Sequence, residues 1–548
     1  MTWTKRAAGP LALFALVFAT HINGEMGCAD SRWSIPTAVS LLDQGNFDLD
    51  EYLPVLEARG FYFTEQVNGH YYTVYPIGAS ILAAPAVAVL RPMFRAAFRV
   101  WPSLRAAMER AQHDRGCPPA AGEPVVSLHS WTEQIVASGI VAATTVVVYA
   151  IARTELGVAG AAAMALVFAF GTSAWSTASR SLWQHGPSML LLALALLAQI
   201  RRWPLELAGL ALGFAYVVRP TNIIPLAVMS AWVAYERPRA LWRYGLGAAA
   251  VLVPFFAMNQ QMYGAWLSEY YRPGRFHGNP FFGEALAGDV IGPARGLLVY
   301  SPVVMFAVLG LALKLRSRRL TALDSALVAC IVAHLVAVAY VNQNWWGGHS
   351  YGPRFLSDML PYLTYFIVPA VGWMVAGRDL ARRAAIGGFV LTAAISVVMH
   401  AIGVFDRDAI KWNSVPNDID RNPVRLWDWR HPPFLARWAP APADQPIDSH
   451  AVRCDVAPAP PSDLTLVSNS RNTLIGAWRA SPGPVALYVI ESGSRPGSSE
   501  FPAREVPPTD APSVTIYRVP PGKYYARVRA QNACGLSAPS NEIEVVVQ

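Results

Sequence analysis

The chain has 548 residues, of which 53% are hydrophobic and only 15% are charged. That balance excludes a string of ordinary soluble domains and points to a protein whose solvent is largely a bilayer. The net charge of +8 does not mark a nucleic-acid binder, because the basic residues sit in short segments between apolar runs rather than along one face.

At the N-terminus, Lys5 and Arg6 precede an apolar run, Ala7 to Ala19, with no A-x-A cleavage signal after it. The reading is an uncleaved first helix over residues 3–22. A bilayer core needs roughly 20 mostly apolar residues per helix. By that measure the following runs predict helices near 131–152, 158–177, 186–200, 204–218, 221–235, 241–258, 296–313, 322–341, 355–376 and 384–404. The fold class is therefore a polytopic α-helical membrane protein with about eleven spans.

Orientation follows from charge. With a cytoplasmic N-terminus, Lys5, Arg6 and alternate connections carry 15 basic residues: the clusters around Arg153, Arg201, Arg237, Lys314 and Arg378. The short opposite loops carry Arg180, Arg219, Arg272, Arg275, Arg295 and Arg354. The positive-inside rule fixes this sense. The run Ile77 to Leu90 is only 14 residues long. Were it to cross, every later basic cluster would change sides, so it is read as an interfacial or re-entrant helix. Residues 23–130 then form one large outer loop, with Arg91, Arg95, Arg99, Arg105, Arg110 and Arg115 as an exception to the charge rule.

After residue 404 a Trp- and Pro-rich connector, 405–458, leads to a segment of different character at 459–548. Short alternating stretches such as Leu474 to Trp478, Leu487 to Glu491, Ser513 to Tyr517 and Tyr524 to Ala530 are separated by turn residues, as in a β-sandwich. The order Pro461 to Leu466, Trp478, Tyr488, Pro521 to Tyr524, Arg527 to Asn532 and Ser537 to Asn541 resembles a fibronectin type III domain. Cys454 and Cys534 bracket this domain and would pair in an oxidising compartment. Cys28 and Cys117 are a weaker pair, and Cys330 reads as a buried thiol.

The polar and aromatic clusters all fall on the outer side. The first, Glu25 to Trp33, follows helix one and continues to Asp43, Asp48, Asp50, Glu51 and Tyr52. A carboxylate there, Asp30 above all, has the chemistry of a general base for an acceptor hydroxyl. These acids also fit a solvated loop or a cap for a helix starting near Ser34. The second cluster, Thr64 to Gly78, reads as a hairpin turning at Asn68-Gly69 and entering a helix at Tyr75-Pro76. The third, Asn342 to Arg354, holds Trp345, Trp346, His349 and Tyr351 among Gly347, Gly348 and Gly352. Arg354 suits bidentate capture of a phosphate, or equally a snorkelling interface arginine. Smaller signals are Arg180 to Pro187, with His185, then Arg219 to Asn222, and Glu269 to His277. No Walker A loop, dinucleotide glycine pattern, HExxH or CxxC pair is present, and no His/Asp/Glu spacing marks a metal site.

In joint order, Asp30-Ser31-Arg32, the Gly69 to Gly78 segment ending Tyr75-Pro76-Ile77-Gly78, and the Trp345 to Arg354 motif resemble the bacterial GT-C membrane glycosyltransferases. Within that class they are similar to the protein O-mannosyltransferases and the aminoarabinose transferase. The resemblance spans about residues 1–404 and implies a multi-pass enzyme of the bacterial inner membrane, acting at its periplasmic face. It implies a sugar donor carried on a polyprenyl phosphate, a glycan, lipid or protein acceptor, and an inverting-type displacement with no required cofactor. Carried over residue by residue, Asp30 becomes the base, and Arg354 with Arg32 stabilises the departing phosphate. Glu65, His70, Tyr71, Tyr75, His185, Trp345, Trp346, His349 and Tyr351 become donor or substrate contacts. Related sequences often have lysine at the position of Tyr75, a charge that Arg91 and Arg95 would here supply, and Ser31 stands where a second acid is usual. Two other readings stand beside this one: a transporter or lipid flippase without covalent chemistry, and a non-catalytic scaffold displaying the β-domain. Against a transporter, no internal repeat is visible and charges near mid-helix are sparse.

Overall fold

The computed structural model describes residues 2–547 apart from 28–29, 59–62, 116–126, 273–277, 280, 342–343, 417, 421–422, 442–454, 469–473, 502, 507, 509–511, 517–518 and 520–521. Two compact units result, one of residues 1–413 with 425–440 and one of 414–424 with 441–548. The expected connector is thus shared out between the two rather than standing alone.

In the first unit, α1 (Thr2–His21) is followed by a small lobe. It comprises α2 (Ser34–Asp43), α3 (Leu53–Ala58) and the hairpin β1 (Thr64–Val67) and β2 (His70–Thr73). Helices α4 (Gly78–Val100), α5 (Pro102–Asp114), α6 (Ser127–Ala152), α7 (Val158–Phe170), α8 (His185–Ile200), α9 (Leu205–Val218), α10 (Ile223–Glu236) and α11 (Leu241–Tyr263) come next. The unit continues with α12 (Phe282–Ile291), α13 (Leu297–Tyr300), α14 (Met305–Arg316), α15 (Ala322–Val341), α16 (Leu360–Val375), α17 (Leu380–Phe405) and α18 (Arg407–Lys411).

Among the described residues, six helices are long and apolar enough to cross a membrane: Gly78–Val100, His129–Ala152, Pro238–Tyr263, Ala322–Val341, Arg354–Val375 and Leu380–Phe405. Their outer faces remain apolar, with Val390, Leu391 and Val398 on α17 each about 60% exposed. Such a surface belongs against lipid. The chain is a mostly helical membrane protein with a small C-terminal β-region.

Three segments differ from their expected form. The run at 77–90 is only part of the 23-residue α4, which continues through Arg91 and Arg95. The first charge does not end the helix, because both Arg91 Nη atoms donate to the Asp43 carboxylate on α2, at 2.9 and 2.8 Å. The helix expected over 158–177 stops at Phe170. There Thr172 Oγ1 donates back to Phe168 O and accepts from Ala174 N, and a short π-helical turn, Ala174–Ala178, follows. The helix expected over 296–313 breaks between α13 and α14 at Ser301-Pro302, where proline has no N–H to give.

Close helix approach depends on small residues, as expected where lipid supplies no hydrophobic drive between helices. A Cβ on Gly209 of α9 would fall 2.0 Å from Tyr244 O on α11, and one on Gly247 of α11 the same distance from Glu206 O. On α14, Gly310 meets Phe366 O of α16 in the same manner, at 1.8 Å. At the head of α15, Thr321 and Asp324 form a reciprocal cap: Asp324 N donates to Thr321 Oγ1 and Thr321 N to Asp324 Oδ2. Lys314 and Tyr365 both donate to the other oxygen of that buried carboxylate, which ties α14, α15 and α16 together. Cys330 is the buried thiol expected, and Cys534 is disulfide-bonded. Cys28, Cys117 and Cys454 lie outside the described residues.

In the second unit, β3 (Ser462–Ser468), β4 (Leu474–Arg479) and β7 (Ser513–Ile516) form one antiparallel sheet. Strands β5 (Leu487–Gly493), β6 (Arg504–Val506), β8 (Gly522–Asn532), β9 (Gly535–Leu536) and β10 (Ile543–Val547) form the other. Leu464 and Trp478 from the first sheet share a core with Tyr488, Ile490, Val528 and Ala530 from the second, so the two pack as a sandwich. Period-2 burial along Leu474–Arg479 is the source of that face. Trp478, edge-on to Tyr488 at 5.4 Å, is the largest group in this core. Trp478→Ala should cost about 3–5 kcal/mol. Limited proteolysis of the full chain should then cut within residues 462–547 while the helical unit stays intact.

Candidate functional site

The loop that follows α1 is tied down by its backbone. Glu25 N donates to Val404 O at the end of α17, and Gly27 N donates to Arg180 O. Arg180 is buried; its guanidinium donates to the terminal carbonyl of α1 at His21 and to Ser179 Oγ at 2.8 Å. This satisfies a helix C-terminus that would otherwise leave carbonyls unpaired. Gly24 and Gly27 leave room beside it, since a Cβ would fall 1.8 Å from Arg180 Nη1 and 2.0 Å from Ser181 Oγ and push those side chains aside. Glu133 on α6, itself buried, then accepts from Ser31 Oγ and, at 2.8 Å, from Leu182 N. One carboxylate thus joins the Asp30-Ser31 turn to the segment that enters α8.

The glycine-rich motif before α16 folds back on itself. Gly347 and Gly352 both have φ of +71°, a conformation that side chains disfavour. The reversal brings Arg354 Nη1 to Gly347 O at 3.3 Å. Arg295, almost fully buried, braces the same turn by donating to Trp346 O at 2.7 Å and Gly348 O at 3.0 Å. With both loops held, Arg354 Nη2 donates to Asp30 Oδ2 at 2.7 Å, and its guanidinium lies 4.3 Å from the Trp183 ring centroid. The Asp30 side chain is 23% exposed and that of Arg354 13%, so the pair is reachable yet shielded. Behind it, Arg354 Nε faces His185 Nε2 at 3.3 Å, and His185 Nδ1 faces Asp358 Oδ1 at 2.9 Å. Arg219 closes the set on Asp358 Oδ2.

Of the residues singled out from sequence, Asp30, His185 and Arg354 come together. Arg32 is half-buried beside Asp30 in the chain. The hairpin places Glu65 opposite Tyr72 and Gln66 opposite Tyr71. Tyr71 packs into the lobe's own core with Trp33, Leu49 and Leu56. Tyr75 meets Tyr270 at 5.6 Å, whose hydroxyl accepts from Gln184 next to His185. That chain of contacts is how the hairpin's exit reaches the site. Trp345 is buried against Gly288, whose Cβ would sit 2.1 Å from the indole, and Trp346 stands edge-on to it. Tyr351 donates to Met399 O at 2.8 Å and packs on Gly403, directed into α17. His349 is exposed.

Sequence spacing gave no metal pattern, but the fold brings Asp48, Asp50 and His70 within 4.8 Å of one another. These residues have the donor types of a divalent-cation site. As it stands the corner is closed by hydrogen bonds: His70 Nδ1 lies 2.6 Å from Asp50 Oδ2, and Tyr71 N donates to Asp50 Oδ1 at 2.8 Å. The hydrogen bond and charge of Asp50 raise the His70 pKa above its ordinary 6.5. A raised imidazole pKa favours the folded pairing below about 6.5 and loses that contribution as pH rises through the folded value. His70 should therefore titrate above 6.5 by NMR and return toward the ordinary value in Asp50→Asn. Asp43 is shifted the other way: the Arg91 hydrogen bonds hold its carboxyl below the usual range, a contribution lost on acidification.

Glu133 and Asp358 were missed from sequence, because each sits inside or beside an apolar run and was averaged into it. An acid in such a run is itself the signal. No protein-family model matches the chain, and no curated protein matches it.

Proposed function

We propose that the chain is a membrane glycosyltransferase that moves a sugar from a polyprenyl-phosphate carrier to an acceptor hydroxyl at the extracytoplasmic face. In this reading about eleven helices span the membrane with the N-terminus inside, and α4, though long enough to cross, lies in the interface, as the distribution of arginine and lysine favours. The acceptor oxygen attacks the anomeric carbon as the bond to the carrier phosphate breaks. Its proton passes to Asp30, and the charge that develops on the phosphate is balanced by Arg354, with Arg32 close by. The fibronectin-like module would hold the acceptor.

The observation that carries this reading is the meeting of Asp30 and Arg354 at 2.7 Å, from opposite ends of the helical unit, at a partly exposed position. A base and an anion-binding fork side by side are what a displacement at a phosphate-linked sugar needs. Aromatic rings lie against the guanidinium, with the Trp183 and Phe355 centroids 4.3 and 6.0 Å away. The test is to offer purified protein a panel of polyprenyl-phosphate sugars. Transfer or hydrolysis of one of them supports the proposal. Absence of turnover with every donor offered would move the weight to a transporter or flippase.

A further inference from the structure

The geometry points to His185, held by Asp358, as the positioning residue that fixes one edge of the Arg354 guanidinium and leaves the other edge to exchange between Asp30 and a donor phosphate. This rests on the reading of Arg354 as the phosphate contact and adds to it a rule for how the fork is aimed. Arg354 Nε is a donor, so His185 Nε2, 3.3 Å away, accepts only if it carries no proton. The ring proton then belongs on Nδ1, where Asp358 Oδ1 stands ready to accept it at 2.9 Å. The other Asp358 oxygen accepts a hydrogen bond from the Arg219 guanidinium, so the charge of the buried carboxylate is balanced. Arg219 Nη1 also lies 2.8 Å from His185 Nδ1. With the proton on Nδ1 its partner is Asp358; with Nδ1 bare, Arg219 Nη1 would donate to it instead, so the tautomer distinguishes the two pairings. A protonated His185 would place a third cation between two guanidiniums and leave Arg354 Nε without its acceptor.

Three constraints thus set the guanidinium plane: His185 on Nε, Gly347 O on Nη1 and the Trp183 face. The Nη2 edge is bound to Asp30. A phosphate arriving at that edge takes the place of Asp30, whose carboxylate oxygen is then free to accept the proton of the acceptor hydroxyl. In the resting pair that oxygen is occupied by Arg354, so donor binding precedes acceptor activation.

Two measurements on the full-length protein test this independently. In 15N-histidine NMR, the difference between the natural chain and His185→Gln identifies the His185 ring. The expected pattern is a protonated Nδ1 with a bare Nε2 at neutral pH; an Nε2–H tautomer or an imidazolium would overturn the proposal. In titrations with a polyprenyl phosphate, His185→Ala should bind about tenfold or more weakly, as fits loss of a hydrogen bond to a charged group. His185→Gln, whose amide oxygen can stand where Nε2 stands, should recover most of that affinity, and Asp30→Asn should bind more tightly than the natural chain. Equal affinity in all three variants would also overturn it. No phosphate binding by the natural chain would count against the transferase reading, while the tautomer alone would then uphold or overturn the His185–Asp358 hold.

Discussion

Arg354→Ala is expected to lower the rate of sugar transfer by about 10²–10³-fold, the usual consequence of removing a preorganised donor to developing negative charge. Most of the loss should appear in kcat/KM, because the same group would bind the donor phosphate before the reaction and balance it during bond cleavage. Arg354→Lys should recover little of it. A lysine ammonium is a point charge on a flexible stem, and it cannot hold His185 Nε2, Gly347 O and Asp30 at once while resting over the Trp183 ring. The measurement is initial rate against donor concentration for the three proteins at one pH. A lysine variant as active as the natural chain would mean that charge alone, without the fork, does the work.

The second large effect is on the fold. Gly209→Ala should destabilise the helical unit by about 1–3 kcal/mol, the ordinary range for overpacking, and Gly209→Val by more. The reason is that the new Cβ meets Tyr244 O, a backbone atom, at 2.0 Å. Backbone cannot rotate away as a side chain can, so α9 and α11 must separate along their crossing. Gly213, one turn on, lies 3.1 Å from Ala248 O by the same measure and so offers no slack. Gly245 on α11 is the control: nothing lies within 4 Å of its Cβ position, so Gly245→Ala should leave stability unchanged or slightly raised. Thermal aggregation in detergent, followed by size-exclusion chromatography, separates the two cases.

The helical unit was legible in outline because apolar runs are imposed by the bilayer itself, and each predicted range does contain helix. What escaped was local. Thr172 and Ser301-Pro302 interrupt runs that look continuous by hydropathy, since a hydroxyl that bonds back to the chain or a missing N–H hardly changes mean polarity. The length of α4 was underestimated for the converse reason: Arg91 looks like a boundary until its partner Asp43, 48 residues earlier, is seen in space. In the β-domain, alternation along Leu474–Arg479 and Leu487–Gly493 announced strands that were found nearly where expected.

The candidate site divides in the same way. Asp30 and Arg354 could be named from residue type and position after a helix, because a carboxylate and an arginine at a membrane surface each have few roles. Their pairing could not be read, since it depends on Glu133 holding Ser31 and Leu182 from a third element. His185 was noticed for its chemistry, but its partner Asp358 was not, and it is Asp358 with Arg219 that gives the imidazole its setting. Tyr351 illustrates the opposite case: it belongs to the same motif as Arg354, yet its hydroxyl is spent on Met399 O in α17.

The most direct test of the account is the initial rate of sugar transfer from a polyprenyl-phosphate donor by the purified natural chain and by Asp30→Asn, measured side by side with donor binding. A fall of about 10²–10⁴-fold in rate is expected, the range for loss of a general base, with donor binding at least as tight as in the natural chain. Transfer at the natural rate by Asp30→Asn would contradict it.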